Sequence, residues 1–364
     1  MCGIKIYPTH LSTTTTLPFC HLPTLSLSDR PKLTVKQTDT QTARASEVTF
    51  VENAKQWIWG SDNFGNFKFA ISSYESVNVD FLLRRIKEQF PEIKWKNYRY
   101  LTHGWDHVFV ILDGKVVFRA PRDSLYKNKL ENETQLLHHL KKKVKVGIPE
   151  YNYVSRDTLL AGYNMLMGQE LTFSRFRRLS TSEREIVAKQ LAEFITTLHA
   201  TPKSVIKKFH VKSENQQKFY KNLVRNTKEL LFPRLRKKDV QLIEQYFAEL
   251  KTALDHYFTR TLVHNDLTSD HILWDDKNKQ INIIDFSDHA FGDPAIDFTG
   301  FVEYGLKFTK HIFDLYGGKK EDCILNRAQL YFKRIPLYTM IASFQGFPCT
   351  VEQGSKMFEK RFKA

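Results

Sequence analysis

Four residues whose types and spacing suit phosphoryl transfer fall in one short stretch, LVHNDLTSDHILWDDKNKQINIIDFSDHAFGDPAID, residues 262–297. They are His264, Asp266, His271 and Asp285. That chemistry needs a group to orient or accept a proton from a hydroxyl, and hard ligands to hold a cation among phosphate oxygens. Asp266 is the candidate base. His271, five residues on, can reach a metal, its water shell or a phosphate. Asp285 is a hard carboxylate suited to magnesium. His264 is placed to brace the loop that carries Asp266. A hydrolytic metal site could use the same four side chains, since imidazole and carboxylate are common ligands.

The stretch also contains the elements that must position these groups. Ile272-Leu273-Trp274 and Ile281–Ile284 are short apolar runs around the polar turn Asp275–Gln280, the pattern of a β-hairpin. Asp266 and His271 precede the first strand and Asp285 follows the second, so the hairpin brings them to one end of a small sheet. Asp293-Pro294 reads as a helix start. Asp288 and His289 read as loop residues.

In protein kinases the corresponding order is H-R-D-x-x-x-x-N followed by D-F-G. Here it is His264-Asn265-Asp266, four residues, His271, then Asp285-Phe286-Ser287. Taken together, HNDLTSDHIL, IIDFSD and GDPAIDF resemble the aminoglycoside phosphotransferase branch of the kinase-like superfamily. The resemblance is nearest to the aminoglycoside 2''-phosphotransferases, bacterial antibiotic-resistance enzymes in which His commonly stands where kinases have the second metal-side Asn, as His271 does here. It runs from about Val77 to near the C-terminus. It implies an α+β, bilobal protein-kinase-like fold: an N-lobe of antiparallel sheet with a helix, and a mainly helical C-lobe carrying the catalytic hairpin. It further implies ATP or GTP as phosphoryl donor, Mg2+ held by His271 and Asp285, an aminoglycoside or another hydroxyl compound such as a macrolide as acceptor, and Asp297 as a brace of the catalytic loop. A nucleotide-binding pseudokinase is the alternative outside catalysis.

Upstream, Asn78–Phe90 has apolar residues at helical spacing. Tyr98–Leu101, Val108–Leu112 and Lys115–Ala120 read as strands, with Asp113-Gly114 as a two-residue turn. By the resemblance, Thr102–His107, with its single Gly104, lies over the nucleotide phosphates. Arg119 in VVFRAPRD takes the position of the phosphate-contacting Lys. It keeps the charge but differs in shape and reach. Glu133, in the helical pattern Leu130–Leu140, is its expected partner, with Glu131 as the fallback. Tyr151–Val154 and Leu159–Leu166 give two more strands. Met165 and Met167 then stand where the chain crosses between lobes, to flank a purine or to serve as ordinary core.

Ser180-Thr181-Ser182-Glu183 is a capping-box start. Helices are expected through Phe209–Tyr257, interrupted near Pro233, then over Phe298–Tyr316, and over Asn326–Phe344 with a break near Pro336. The domains are accordingly expected as 76–167 for the N-lobe and 168–364 for the C-lobe with catalytic loop and acceptor site. Residues 1–75 are set apart as a disordered or loosely attached extension, or an over-long gene start. The Ser/Thr-rich beginning partly resembles an organelle transit peptide, but basic residues are sparse.

Lys and Arg number 55 against 40 Asp and Glu, a formal charge of +15. That balance is compatible with nucleotide phosphates and does not by itself select a partner. There is no nucleic-acid-binding signature and no apolar run long enough to span a membrane. Four scattered cysteines without a C-x-x-C pair argue against a disulfide framework or structural zinc and point to a cytoplasmic setting. If the acceptor is a polycationic drug, the acidic side chains expected to hold it are Glu303, Asp314, Glu321, Asp322, Glu352 and Glu359, few in a Lys/Arg-rich tail.

Overall fold

The computed structural model describes residues 78–102, 107–122, 127–157, 159–256, 258–321, 323–347 and 349–363. The readings placed on residues 1–75, on Gly104 and on Asp322 lie outside them.

The first lobe is a helix laid on an antiparallel sheet. Asn78 caps α1 (Val79–Gln89) by accepting the Asp80 amide, and Leu82 and Ile86 form its buried stripe. Strands β1 (Tyr98–Leu101), β2 (His107–Leu112) and β3 (Val116–Pro121) follow, then α2 (Lys127–Lys141), β4 (Tyr151–Val154) and β5 (Ala161–Asn164). The sheet order is β1-β2-β3-β5-β4, every pair antiparallel. The central strands β2 and β3 are buried on both faces, as their near-continuous apolar runs require. Leu82, Ile86 and Phe90 pack with Val108, Val110, Phe118 and Leu160 into one core.

After β6 (Gln169–Glu170) the chain is mostly helical: α3 (Phe173–Arg178), α4 (Thr181–His199), α5 (Lys203–Lys208), α6 (Gln216–Asn226) and α7 (Lys237–Asp255). The Ser180–Glu183 capping box opens α4 as read from sequence. Pro233 sits in a 3-10 turn between α6 and α7, where the missing N–H costs no helical bond. Two small sheets then support the hairpin stretch. β7 (Thr261–Val263) pairs with β10 (Ala290–Gly292), and β8 (Ile272–Asp275) pairs with β9 (Gln280–Ile283) and β6. Gly168, just before β6, has φ +109°, and a Cβ there would stand 2.7 Å from the Trp274 carbonyl oxygen. The crossing between the sheet lobe and the helical lobe therefore needs glycine.

The remaining elements are α8 (Ala295–Phe298), α9 (Leu306–Leu315), α10 (Ile324–Phe344) and α11 (Val351–Phe362). The break expected near Pro336 is absent, and α10 runs through it. Pro336 cannot donate to the Phe332 carbonyl one turn back, and Arg361 of α11 supplies that bond instead, Nη1 to Phe332 O at 2.7 Å. The sequence reading had no helix over α11, although Thr350 and Gln353 form a capping box at its start. Among the described residues, no helix is long and apolar enough to cross a membrane.

Candidate active site

The hairpin places Asp266, His271 and Asp285 together. His271 Nδ1 is 3.3 Å from Asp266 Oδ2, and its Nε2 is 3.7 Å from Asp285 Oδ2. His271 Nδ1 also lies 2.8 Å from the Asp266 carbonyl oxygen. A carbonyl only accepts, so Nδ1 carries a proton and, in the neutral ring, the Nε2 lone pair faces the Asp285 carboxylate. Two electron-rich atoms at that separation call for a proton or a cation between them. The donor set, one carboxylate and one imidazole with both side chains partly exposed, fits Mg2+, which keeps several positions for water and phosphate oxygens. Among the described residues no three His, Cys, Asp or Glu side chains form a closed metal cage. The alternative hydrolytic site built on all four residues is excluded by His264, both of whose ring nitrogens are engaged elsewhere.

His264 is completely buried. Its Nε2 donates to the Ile284 carbonyl at 3.1 Å, and its Nδ1 accepts the Asp266 amide at 3.4 Å. Its ring packs on Phe286 with centroids 4.5 Å apart. One neutral imidazole thus ties the backbone of Asp266 to the residue preceding Asp285. Burial lowers its pKa to about 4, outweighing the nearby Asp297 carboxylate. Asp297 is also fully buried and accepts the amides of His264 at 2.9 Å and Asn265 at 2.8 Å, and His199 Nε2 at 3.1 Å. This is the bracing expected of Asp297. Asp293 caps the Ala295 amide, as Asp-Pro suggested, and it also receives Arg327 through Nε and Nη2 at 2.7 and 2.9 Å.

The two site carboxylates differ in proton affinity. Burial pushes the Asp266 carboxyl up to about 6; His271 opposes this, and Asp288, Asp285 and Asp270 add to it. For Asp285 burial acts in the same sense, but the Arg119 guanidinium and His271 overcome it and hold the carboxyl well below the usual range. Asp266 is therefore the stronger base, and Asp285 remains an anion at any ordinary pH.

Arg119 pairs with Glu133, not Glu131: Nη1 to Oε1 is 2.7 Å, with both side chains buried. Nη1 also donates to Tyr151 Oη at 3.2 Å, while Nη2 lies 3.1 Å from His107 Nδ1 and 3.4 Å from Asp285 Oδ1. The guanidinium links β3, α2 and the residue after the catalytic hairpin. A Lys ammonium, a single point of charge, could not make this set of contacts. Met165 and Met167 are 37% and 67% exposed, so neither is core. Their backbones are held by Met165 N to Lys115 O and Asn282 Nδ2 to Met167 O, both 2.7 Å.

Four of the acidic side chains nominated around the C-terminus are engaged elsewhere. Asp314, Glu352 and Glu359 pair with Lys310, Lys356 and Lys363 on their own helices, and Glu321 binds Thr259 and Lys319. Glu214, which sequence reasoning passed over, does reach the site. Its Oε1 accepts Asn265 Nδ2 at 2.8 Å, and with Ser287 and Asp288 it lines an open cleft of about 110 Å³. Nothing local marks Glu214, since its partner is 51 residues away.

Comparison with known proteins agrees with this geometry. The model of the phosphotransferase enzyme family (APH) matches residues 97–321, more than half of the chain. A GDP complex of aminoglycoside 2'-phosphotransferase-IIIa is 25% identical with a TM-score of 0.71, over 79% of this chain and 99% of that one. A GDP and kanamycin complex of APH(2")-IIIa is 25% identical with a TM-score of 0.69, over 77% and 98%. Macrolide 2'-phosphotransferase type I, 17% identical with a TM-score of 0.57 over 80% and 98%, shares the fold. The protein is a small-molecule phosphotransferase with an alcohol group as acceptor, and its chain belongs to the phosphotransferase enzyme family.

Proposed function

We propose that the protein transfers the γ-phosphoryl group of ATP or GTP to a hydroxyl of an aminoglycoside. The observation that carries the reading is the convergence of Asp266, His271 and Asp285 at 3.3 and 3.7 Å, with Asp266 the more basic carboxylate. Asp266 orients the acceptor hydroxyl and takes its proton as the new O–P bond forms and the bond to the nucleoside diphosphate breaks. His271 and Asp285 hold Mg2+, which when bound neutralises charge on the phosphate oxygens. Arg119, fixed by Glu133, keeps Asp285 in place and directs positive charge toward the phosphates. Met165 and Met167 flank the purine. The donor and acceptor classes are supported by the similar enzymes crystallised with GDP and with kanamycin. A cytoplasmic setting, where nucleoside triphosphate is at hand, completes the reading.

The test is Mg-dependent consumption of ATP and GTP by the purified protein, with and without an aminoglycoside panel, alongside Asp266→Asn. Drug-stimulated turnover that drops by about 10²–10⁴-fold in the variant is the expected result. Turnover that persists at the wild-type rate in Asp266→Asn would remove Asp266 as the base.

One observation favours a second reading. The C-terminal carboxylates at 314, 352 and 359 are already neutralised by lysines. An acceptor with fewer positive charges, such as a macrolide or another hydroxyl metabolite, would lose little by their engagement. Stimulation by a macrolide and not by any aminoglycoside would select this reading.

A further inference from the structure

Asn265, immediately before Asp266, adopts φ +72°, a left-handed conformation that Asn tolerates better than most residues. Its side chain is committed on the same side. Nδ2 donates to Glu214 Oε1 at 2.8 Å and to the Asp288 carbonyl at 3.0 Å. The backbone at Glu214 is itself anchored. The Glu214 amide donates to Phe291 O at 3.0 Å, and Arg260 Nη2 bonds the Glu214 and Phe291 carbonyls. Phe291 lies in β10, which pairs with β7, the strand that leads into His264. Asp288 follows Asp285 by three residues. The side chain of Asn265 therefore joins the catalytic loop to the segment after Asp285 and to the chain before α6, independently of the His264 and Asp297 contacts.

We infer that Asn265 and Glu214 are positioning residues: the Glu214–Asn265–Asp288 bridge fixes the peptide that aims the Asp266 carboxylate at the acceptor hydroxyl. The inference rests on the reading of Asp266 as the base. Rotation of the 265–266 peptide would swing that carboxylate, and a displacement of about 1 Å is enough to cost on the order of 100-fold in rate. The bridge is bonded to the loop that carries Asp266, whereas the nucleotide seat is read at Met165, Met167 and Arg119, so the bridge is expected to act on the chemical step more than on nucleotide affinity.

The experiment uses the full chain and four variants: Asn265→Gly, Glu214→Ala, Glu214→Gln and the double Asn265→Gly/Glu214→Ala. Glycine accepts the left-handed φ without strain, so Asn265→Gly removes the bridge while sparing the backbone. The readouts are kcat and KM for MgATP and MgGTP, with kanamycin or water as phosphoryl acceptor, and crystal structures of wild type and Asn265→Gly. The bridge predicts that Asn265→Gly and Glu214→Ala each lower kcat about 10- to 100-fold with nucleotide KM within about threefold. It also predicts that the double variant is no worse than either single one, that Glu214→Gln keeps most of the rate because its amide oxygen still accepts from Asn265, and that Asp266 moves in the Asn265→Gly crystal. Wild-type kcat in Asn265→Gly, multiplicative losses in the double variant, failure of Glu214→Gln to retain the rate, or an unmoved Asp266 overturns it. Turnover that survives Asp266→Asn overturns the base assignment and this proposal with it. Turnover lost in Asp266→Asn but retained in Asn265→Gly overturns the proposal alone.

Discussion

His264 donates from Nε2 to the carbonyl of Ile284 at 3.1 Å, and by this bond a buried, uncharged imidazole fixes the distance between the segments carrying the two site carboxylates. The arrangement works only while the ring is neutral, since Nδ1 must accept the Asp266 amide. A protonated ring would place two N–H donors against one acceptor and one amide.

This sets a pH dependence of stability. The His264 pKa falls from 6.5 to about 4 on folding. Between those values the unfolded chain binds a proton that the folded chain refuses, so acidification favours unfolding. The contribution is fully present above pH 6.5 and is lost as pH falls through about 4, with a ceiling of about 3 kcal/mol. Asp266 opposes it, because its raised pKa lets the folded chain take up a proton first as pH falls through about 6. Comparison with His264→Gln isolates the histidine. In urea unfolding, the stability advantage of wild type over the variant should shrink between pH 7 and pH 4.5, and an advantage constant over that range would refute the linkage.

The Arg119–Glu133 pair yields a second prediction, about removing one buried charge or both. Glu133→Gln leaves Arg119 buried without its principal counter-charge and should cost about 3–5 kcal/mol. Replacing both, as Arg119→Met/Glu133→Leu, removes the desolvated charges together and should recover a good part of that loss, while nucleotide turnover falls because Asp285 loses its Arg119 contact. Denaturant unfolding of the two variants checks the first statement and Mg-dependent turnover the second. A double variant no more stable than Glu133→Gln would show that the pair is not the source of the cost.

Asp297 gathers three donors from two parts of the chain, and the His264 amide and the His199 ring among them are buried. In Asp297→Asn one oxygen becomes an NH2 that must face a donor, so at least one amide or imidazole N–H loses its acceptor. The expected cost is about 2–4 kcal/mol, with a lower kcat because the peptides on either side of Asn265 are released. Thermal unfolding and steady-state kinetics of the purified variant measure both. Unchanged melting with unchanged kcat would mean that the loop is held by other contacts.

What could be read from sequence follows the range of the interactions. The hairpin, the Ser180 capping box, α1 and the strands of the first lobe are encoded by alternation, spacing and turn residues within a few positions, and the structure has all of them. Arg119, Glu133 and the cluster Asp266, His271 and Asp285 were nominated by motif and resemblance, and packing brings them within bonding distance. Glu214, Arg327 and Arg361 were invisible because their partners, Asn265, Asp293 and Phe332, lie 51, 34 and 29 residues away and are selected only by tertiary packing. The error at Pro336 has the same origin. Local rules break a helix at proline, and a distant side chain removes the reason for the break.

That last contact makes a test in which proline should change from tolerated to harmful. Arg361 Nη1 donates to the Phe332 carbonyl at 2.7 Å, and its guanidinium carbon lies 3.6 Å from the Phe332 ring centroid. Arg361→Ala leaves that half-buried carbonyl without its donor and strips the stacked cation, for a cost of about 2 kcal/mol. Pro336→Ala in the same background restores an N–H one turn beyond Phe332 and should recover about half of the loss, whereas in the wild-type background it should gain much less, since Arg361 already serves the carbonyl. Denaturant unfolding of the four proteins gives the coupling between positions 336 and 361. Purely additive effects would mean that Arg361 does not compensate the proline, and the continuity of α10 would then rest on its packing against α11 alone.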